Sequence, residues 1–100
     1  MAFSYSDKNF TVIGNLCFVH IILNGTERMI DIPPAIADRM LYSPITCTYT
    51  YLPSKEASGG GGGGTLTTGI GYAFIDNRKI SLTDTGLGYL SVYFPIDSNK

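Results

Sequence analysis

The chain has 100 residues, 44% of them hydrophobic, and its 7 basic and 8 acidic residues give a net charge of −1. This length fits a single domain (residues 1–100) with one modest core, and the chain has no basic patch that would bind nucleic acid. Charged residues make up 15% of the sequence, against about 25% in a typical soluble domain. This low charge indicates that a partner covers part of the surface. Since the chain has no apolar run of about 18 residues and no signal-peptide pattern, we expect neither membrane insertion nor export.

The stretch Phe10–Leu23 is rich in β-branched and aromatic residues and ends at the turn pair Asn24-Gly25. It predicts one long strand, with Gly14 as a possible bulge or bend. From Leu16 onward both sets of alternate positions are apolar, so both faces of the strand need cover. One face would lie on the core. We assign the other to a contact between subunits, formed by Cys17, Val19, Ile21 and Leu23.

The next segments predict a hairpin followed by a short helical turn. Asn24-Gly25 favours a type I′ turn, with Glu27–Ile32 as the returning strand, and Pro33-Pro34 ends the pairing. Ala35–Leu41 is the only helix-like stretch. Ile45–Leu52 alternates cleanly, which is typical of a half-buried strand. One of its faces carries Ile45, Cys47, Tyr49 and Tyr51.

The second half of the chain continues the pattern of strands and turns. Residues 53–64 include six consecutive glycines and predict a flexible loop. Strands are predicted over Thr65–Ile75, Arg78–Leu82 and Tyr89–Ile96. Short strands with a turn about every ten residues predict an all-β fold, an antiparallel β-sandwich of jelly-roll type.

The motifs of catalysis and metal binding are weak. Asp84-Thr85-Gly86 matches the aspartic-protease triplet, but only 14 residues follow it, too few for the rest of that fold. A turn explains the triplet better, so we expect no enzyme; the alternative is a small hydrolase that uses Asp84. His20 has apolar neighbours, which favours a buried or interface side chain. Cys17 and Cys47 are expected to be free buried thiols, and no spacing predicts a metal or cofactor.

Seven tyrosines offer another kind of site. A tyrosine combines an apolar ring face with a hydroxyl, which suits sugar rings and protein interfaces. We select four of them as candidate binding residues, namely Tyr49, Tyr51, Tyr72 and Tyr89.

The order of these elements resembles a known family. The motifs are Phe-Thr-Val-x-Gly at 10–14, Ile-Pro-Pro at 32–34, Ile-Asp-Asn-Arg-Lys-Ile-Ser-Leu at 75–82, and a closing aromatic strand. Together they resemble the small C-terminal β-sandwich domains of bacteriophage tail fibres, baseplate proteins and head fibres. The resemblance implies a virion protein, made in the host cytoplasm, that attaches to host cell-wall saccharide or builds the appendage with other virion proteins. It also implies a homotrimer and supplies no catalytic residues.

Overall fold

The computed structural model describes residues 3–53 and 65–100. Its elements are β1 Phe10–Ile13, β2 Leu16–Asn24, β3 Met29–Asp31, α1 Pro34–Ala37, β4 Ile45–Pro53, β5 Thr67–Phe74, β6 Lys79–Leu82 and β7 Gly86–Pro95. The all-β prediction is confirmed. The helix-like stretch predicted over Ala35–Leu41 holds one short helix that begins at Pro34 and already ends at Ala37.

All seven strands belong to one curled antiparallel sheet, in the order β1-β2-β7-β4-β5-β6-β3. The predicted sandwich would require two stacked sheets, and the hydrogen bonding of the described strands forms one. The core lies on the concave side of the sheet, which the segment 32–40 covers. That segment contributes Ile32, Ile36, Ala37 and Met40 to the buried cluster.

The predicted long strand Phe10–Leu23 is wrong, because the chain reverses at Gly14-Asn15. Ile13 pairs with Leu16, so Gly14 and Asn15 form the two-residue loop of a tight β1–β2 hairpin. Gly14 has a φ of 60°. A type II′ turn requires a positive φ at its first central position, which glycine adopts without strain. Val12 and Cys17 therefore face each other as neighbours across the hairpin.

The predicted hairpin between β2 and Glu27–Ile32 is also wrong. β3 pairs with β6, about 50 residues further along the chain, and not with β2. Side chains in and next to the connecting loop accept hydrogen bonds from backbone N–H groups that the predicted β2–β3 hairpin would have used. The Asn24 N–H donates to Glu27 Oε1 at 2.8 Å, and the Thr26 N–H donates to Asn24 Oδ1 at 3.0 Å. Gly25, with a φ of 101°, turns the chain away from β2.

The strand prediction for Ile45–Leu52 is confirmed in β4. Its buried face carries Cys47, Tyr49 and Tyr51, and the alternate threonines point outward. Pro53, placed by the sequence in a loop, ends β4. The rest of the predicted glycine loop, residues 54–64, lies outside the described residues. No helix in the described part of the chain is long and apolar enough to span a membrane.

Candidate functional site

The convex face of the sheet carries no charged side chain on five successive strands, β1, β2, β7, β4 and β5. The alternation of side chains along each strand, matched by burial, separates convex from concave positions. An antiparallel sheet that turns one face to water normally carries polar and charged residues there. The convex positions hold Thr11, Ile13, Leu16, Phe18, His20, Ile22, Asn24, Thr46, Thr48, Thr50, Leu52, Thr68, Ile70, Tyr72, Phe74, Leu87, Tyr89, Ser91, Tyr93 and Pro95.

Two adjacent strands, β2 and β7, place five large exposed side chains together. We call Phe18, Ile22, Leu87, Tyr89 and Tyr93 the outer-face patch; all five are exposed. Phe18 pairs with Tyr93, with ring centroids 5.6 Å apart, and Ile22 pairs with Tyr89. Ile22 is 68% exposed and Tyr93 63% exposed. An exposed cross-strand apolar cluster of this kind is a candidate interaction surface.

His20 lies in the middle of the outer-face patch. It pairs with Ser91 across β2 and β7, and its ring centroid is 6.4 Å from that of Tyr89. The side chain is exposed in the single chain. Of the two alternatives predicted for His20, buried or interface, the buried one is therefore wrong and the interface one stays a prediction.

The assignment of Cys17, Val19, Ile21 and Leu23 to a subunit contact is wrong. None of them is more than 6% exposed in the single chain, because they pack into the concave core. Such side chains have no surface left for a partner. The strand does have two apolar faces, but the exposed one carries Phe18 and Ile22.

The four selected tyrosines lie in three different environments. Tyr49 and Tyr51 are buried in the core, so their selection as binding residues is wrong. Tyr72 is half-buried on the convex face, and Tyr89 is exposed within the outer-face patch. The structure does not bring the four together into one site.

The two buried tyrosines hold the Asp84 turn. The Tyr49 hydroxyl donates to the Asp84 carbonyl oxygen at 2.9 Å and accepts from the Asp84 N–H at 3.0 Å. The Tyr51 hydroxyl donates to Asp84 Oδ2 at 2.9 Å, and the Thr85 N–H donates to Oδ1 at 2.8 Å. A carboxylate that accepts these bonds anchors a turn, as the sequence predicts for this triplet.

A cleft of 580 Å³ lies where the lead-in to β1 approaches the end of β3 and the β5–β6 turn. We call it the seam cleft. Polar groups from both sides line it, together with the ring of Tyr5 and the Pro33-Pro34 step. The polar lining residues are Asp7, Asn9, Asp31, Asn77, Arg78 and Lys79. Both carboxylates in this lining are already engaged: Asp31 pairs with Lys79, and Asp7 accepts from the Tyr5 hydroxyl.

Both cysteines are free and buried, as predicted. Burial raises the pKa of Cys17 to about 12, with a smaller effect of the nearby Asp7 charge, and burial raises the pKa of Cys47 to about 11. These thiols are thus poor nucleophiles. Among the described residues, no group of three or more histidine, cysteine or acidic side chains is arranged to hold a metal ion.

Sequence reasoning missed Phe18, Ile22 and Tyr93. Both sets of alternate positions in β2 are apolar, so periodicity did not separate core from surface there. A usable signal lay in β4, where threonine alternates with Cys47, Tyr49 and Tyr51 and so marks the convex face. Register with β7 then extends that face to Tyr89.

Comparisons with known proteins found no matching family model, no similar curated protein and no similar solved structure.

Proposed function

We propose that this chain is a non-enzymatic assembly domain of a bacteriophage virion appendage, and that it forms a homotrimer through the outer-face patch. The observation that carries the proposal is the uncharged convex face across five strands, with Phe18, Ile22 and Tyr93 exposed at its centre. The phage context and the number of subunits rest on the resemblance of the strand and turn motifs. Other appendage proteins are the natural further partners.

The size of the outer-face patch fits a protein contact. Fully burying one large apolar side chain contributes about 1.5–3 kcal/mol. The five patch residues are each roughly half exposed, so covering them would contribute on the order of 4–7 kcal/mol per subunit. Association itself costs about 4–15 kcal/mol. The patch therefore needs the flanking threonines and tyrosine hydroxyls to add hydrogen bonds or packing.

Light scattering on the parent and on Ile22→Asp tests the assembly. We expect the parent to have three times the mass of the chain and the variant to be a folded monomer, since Ile22 points away from the core. Tyr42→Asp is the matched control: Tyr42 is 62% exposed but lies outside the patch, so this variant should keep the parent mass. A monomeric parent at micromolar concentration would contradict the proposal, and so would an Ile22→Asp variant that keeps its mass.

Attachment to host saccharide is the second candidate, and the seam cleft favours it. Sugar rings bind to an aromatic face flanked by planar amides and charged groups, and the cleft offers Tyr5 with Asn9, Asn77 and Arg78. Tyr89 offers a competing contact on the convex face. A glycan array with the parent, Asn9→Ala and Tyr89→Ala separates the two locations. Absence of saturable binding to the array and to host cell walls would leave assembly as the sole function.

A further inference from the structure

The edge of β2 is only partly covered by β1. Their ladder ends at the pair Phe10–Val19, and the last bond to that side is the His20 N–H to the Asn9 carbonyl at 2.8 Å. Even-numbered residues of β2 direct their backbone groups to this edge. The N–H and C=O of Ile22 consequently point out of the sheet, and no group in the described part of the chain bonds to them. Further on, the edge is closed because Glu27 accepts from the Asn24 N–H.

β3 has a free edge as well. The Leu82 N–H donates to the Arg28 carbonyl at 2.8 Å, and the Ile32 N–H donates to the Arg78 carbonyl at 2.9 Å. These bonds fix the even-numbered residues of this segment toward β6. The backbone N–H and C=O groups of Met29 and Asp31 therefore point away from β6, and residues 3–53 and 65–100 supply no partner for them.

The two free edges border the same cleft. It has a volume of 540 Å³ and lies between His20–Ile22 of β2 and Met29–Ile30 of β3, with Lys8 and Asn9 at one end and Glu27 at the other. We call it the edge slot. The short loop 25–28 joins β2 to β3 without pairing them, which keeps the two edges apart.

We propose that the edge slot accepts one extended polypeptide segment from a partner protein, which pairs with β2 and β3 and so closes the curled sheet. Unpaired backbone donors and acceptors along a strand edge are recognised by another strand's backbone. An isolated extended segment presents backbone donors and acceptors along both of its edges, so it can pair with β2 on one side and with β3 on the other, whereas an edge strand of a folded domain has only one edge free. Only a segment without a sheet behind it can enter.

The direction and side chains of the segment follow from the slot. A segment that continues the β1 ladder runs antiparallel to β2, so it begins near Glu27 and ends near Lys8. Charge complementarity then favours a basic residue at its start and an acidic residue at its end. Ile22 and Met29, 68% and 54% exposed, flank the slot on the convex side and favour an apolar residue between them.

A synthetic peptide, acetyl-Lys-Thr-Val-Thr-Val-Thr-Glu-amide, tests the proposal by amide hydrogen exchange. In the free protein the amides of Ile22, Met29 and Asp31 should exchange rapidly. Millimolar peptide should slow their exchange on the order of tenfold, while amides in the β4–β5 ladder stay unchanged. Protection of the three amides already present without peptide would overturn the proposal, as would no change on its addition.

Two matched controls isolate main-chain pairing. Ile22→Pro removes the N–H that points into the slot and leaves the bonds to β7, so an edge position tolerates it; Ile22→Ala keeps that N–H. Binding should be lost in the first variant and weakened in the second. Should Ile22→Pro unfold, the same peptide with N-methylated valines gives the answer on the parent. Undiminished binding of the N-methylated peptide would contradict pairing through the backbone.

Discussion

The hydroxyl of Tyr49 bonds to both backbone groups of Asp84, donating to the carbonyl oxygen at 2.9 Å and accepting from the N–H at 3.0 Å. Tyr49 is 2% exposed, so its hydroxyl lies away from bulk water. These two bonds tie the centre of β4 to the turn that precedes β7, and β7 carries three of the five residues of the outer-face patch.

Tyr49→Phe should therefore lower the free energy of unfolding by about 1–3 kcal/mol, because it removes a buried hydroxyl that bonds to one backbone donor and one backbone acceptor. Urea unfolding of the parent and the variant measures this difference. Tyr93→Phe, on the exposed convex face, serves as the control and should change stability by less than about 0.5 kcal/mol. Equal stability of the Tyr49→Phe protein and the parent would show that the Asp84 turn holds without this contact.

Asp84→Asn separates a structural carboxylate from a catalytic one. The amide cannot reproduce both acceptor oxygens that Tyr51 and Thr85 use, so we expect a loss of stability of about 1–3 kcal/mol. Peptidase and glycosidase assays on the parent should give no activity. Activity in the parent that disappears in the variant would establish the hydrolase alternative.

The sequence was sufficient for the local structure where one pattern dominated. In β4 the alternation of threonine with Cys47, Tyr49 and Tyr51 allows only one choice of buried face, and the structure has that face. In β2 the side chains of both faces are apolar, and Gly14 reads equally well as a bulge or a turn. Long-range packing determines which face of β2 is buried and that the chain turns at Gly14. Neither hydrophobic periodicity nor turn propensity reports on such packing.

The pairing of β3 with β6 was beyond sequence reasoning for a related reason. Asn24-Gly25 favours a hairpin locally, yet Glu27 and Thr26 form hydrogen bonds with Asn24 within the loop. β3 instead pairs with β6, where its central residue is opposite Ile80. The edge slot exists because of this exchange of partners. The seam cleft likewise joins Asn9 with Arg78, residues far apart in the chain.

Gly69→Ala should destabilise the protein through Tyr49. Gly69 lies opposite Tyr49 in the β4–β5 ladder, and a Cβ at this position would overlap the Tyr49 ring, for example at 2.7 Å from Tyr49 Cε1. The buried ring, fixed by Asp84, has little room to shift, so we expect a cost of about 1–3 kcal/mol. Thermal unfolding measures it, with Thr68→Ala on the convex face as the control.

A double variant identifies the source of that cost. In the double variant Gly69→Ala/Tyr49→Ala, the ring that obstructs the new methyl group is gone. The loss of stability in the double variant should therefore be smaller than the sum of the losses in the two single variants. Strict additivity would mean that the methyl group acts on the β5 backbone and not on the ring.

The thiols of Cys17 and Cys47 should be inert in the native protein. Both are buried, and burial raises the pKa of Cys17 to about 12 and of Cys47 to about 11, so almost no thiolate forms near pH 8. We expect no reaction with an aromatic disulfide reagent until denaturant is added, and then two thiols per chain. Rapid reaction of one native thiol would show that the concave core opens on that timescale.

The carboxylate of Asp7 should make stability depend on acid pH. Desolvation raises the pKa of the exposed Asp7 carboxyl, but hydrogen bonds from the Phe10 and Asn9 N–H groups and from the Tyr5 hydroxyl, with the Lys8 charge, outweigh this effect. The net pKa therefore lies below the ordinary 3.8. A depressed pKa in the folded state stabilises the protein above pH 3.8, and this contribution is lost as pH falls through the folded-state value.

Asp7→Asn tests this pH dependence, because the amide oxygen still accepts from the backbone but does not titrate. The variant should melt below the parent at neutral pH, and the gap in melting temperature should close as pH falls below about 3.8. Asp7 fixes the turn that leads Asn9 to the edge of β2. A gap in melting temperature that stays constant across the pH range would mean that the variant loses stability through altered hydrogen bonding in this turn and not through loss of charge.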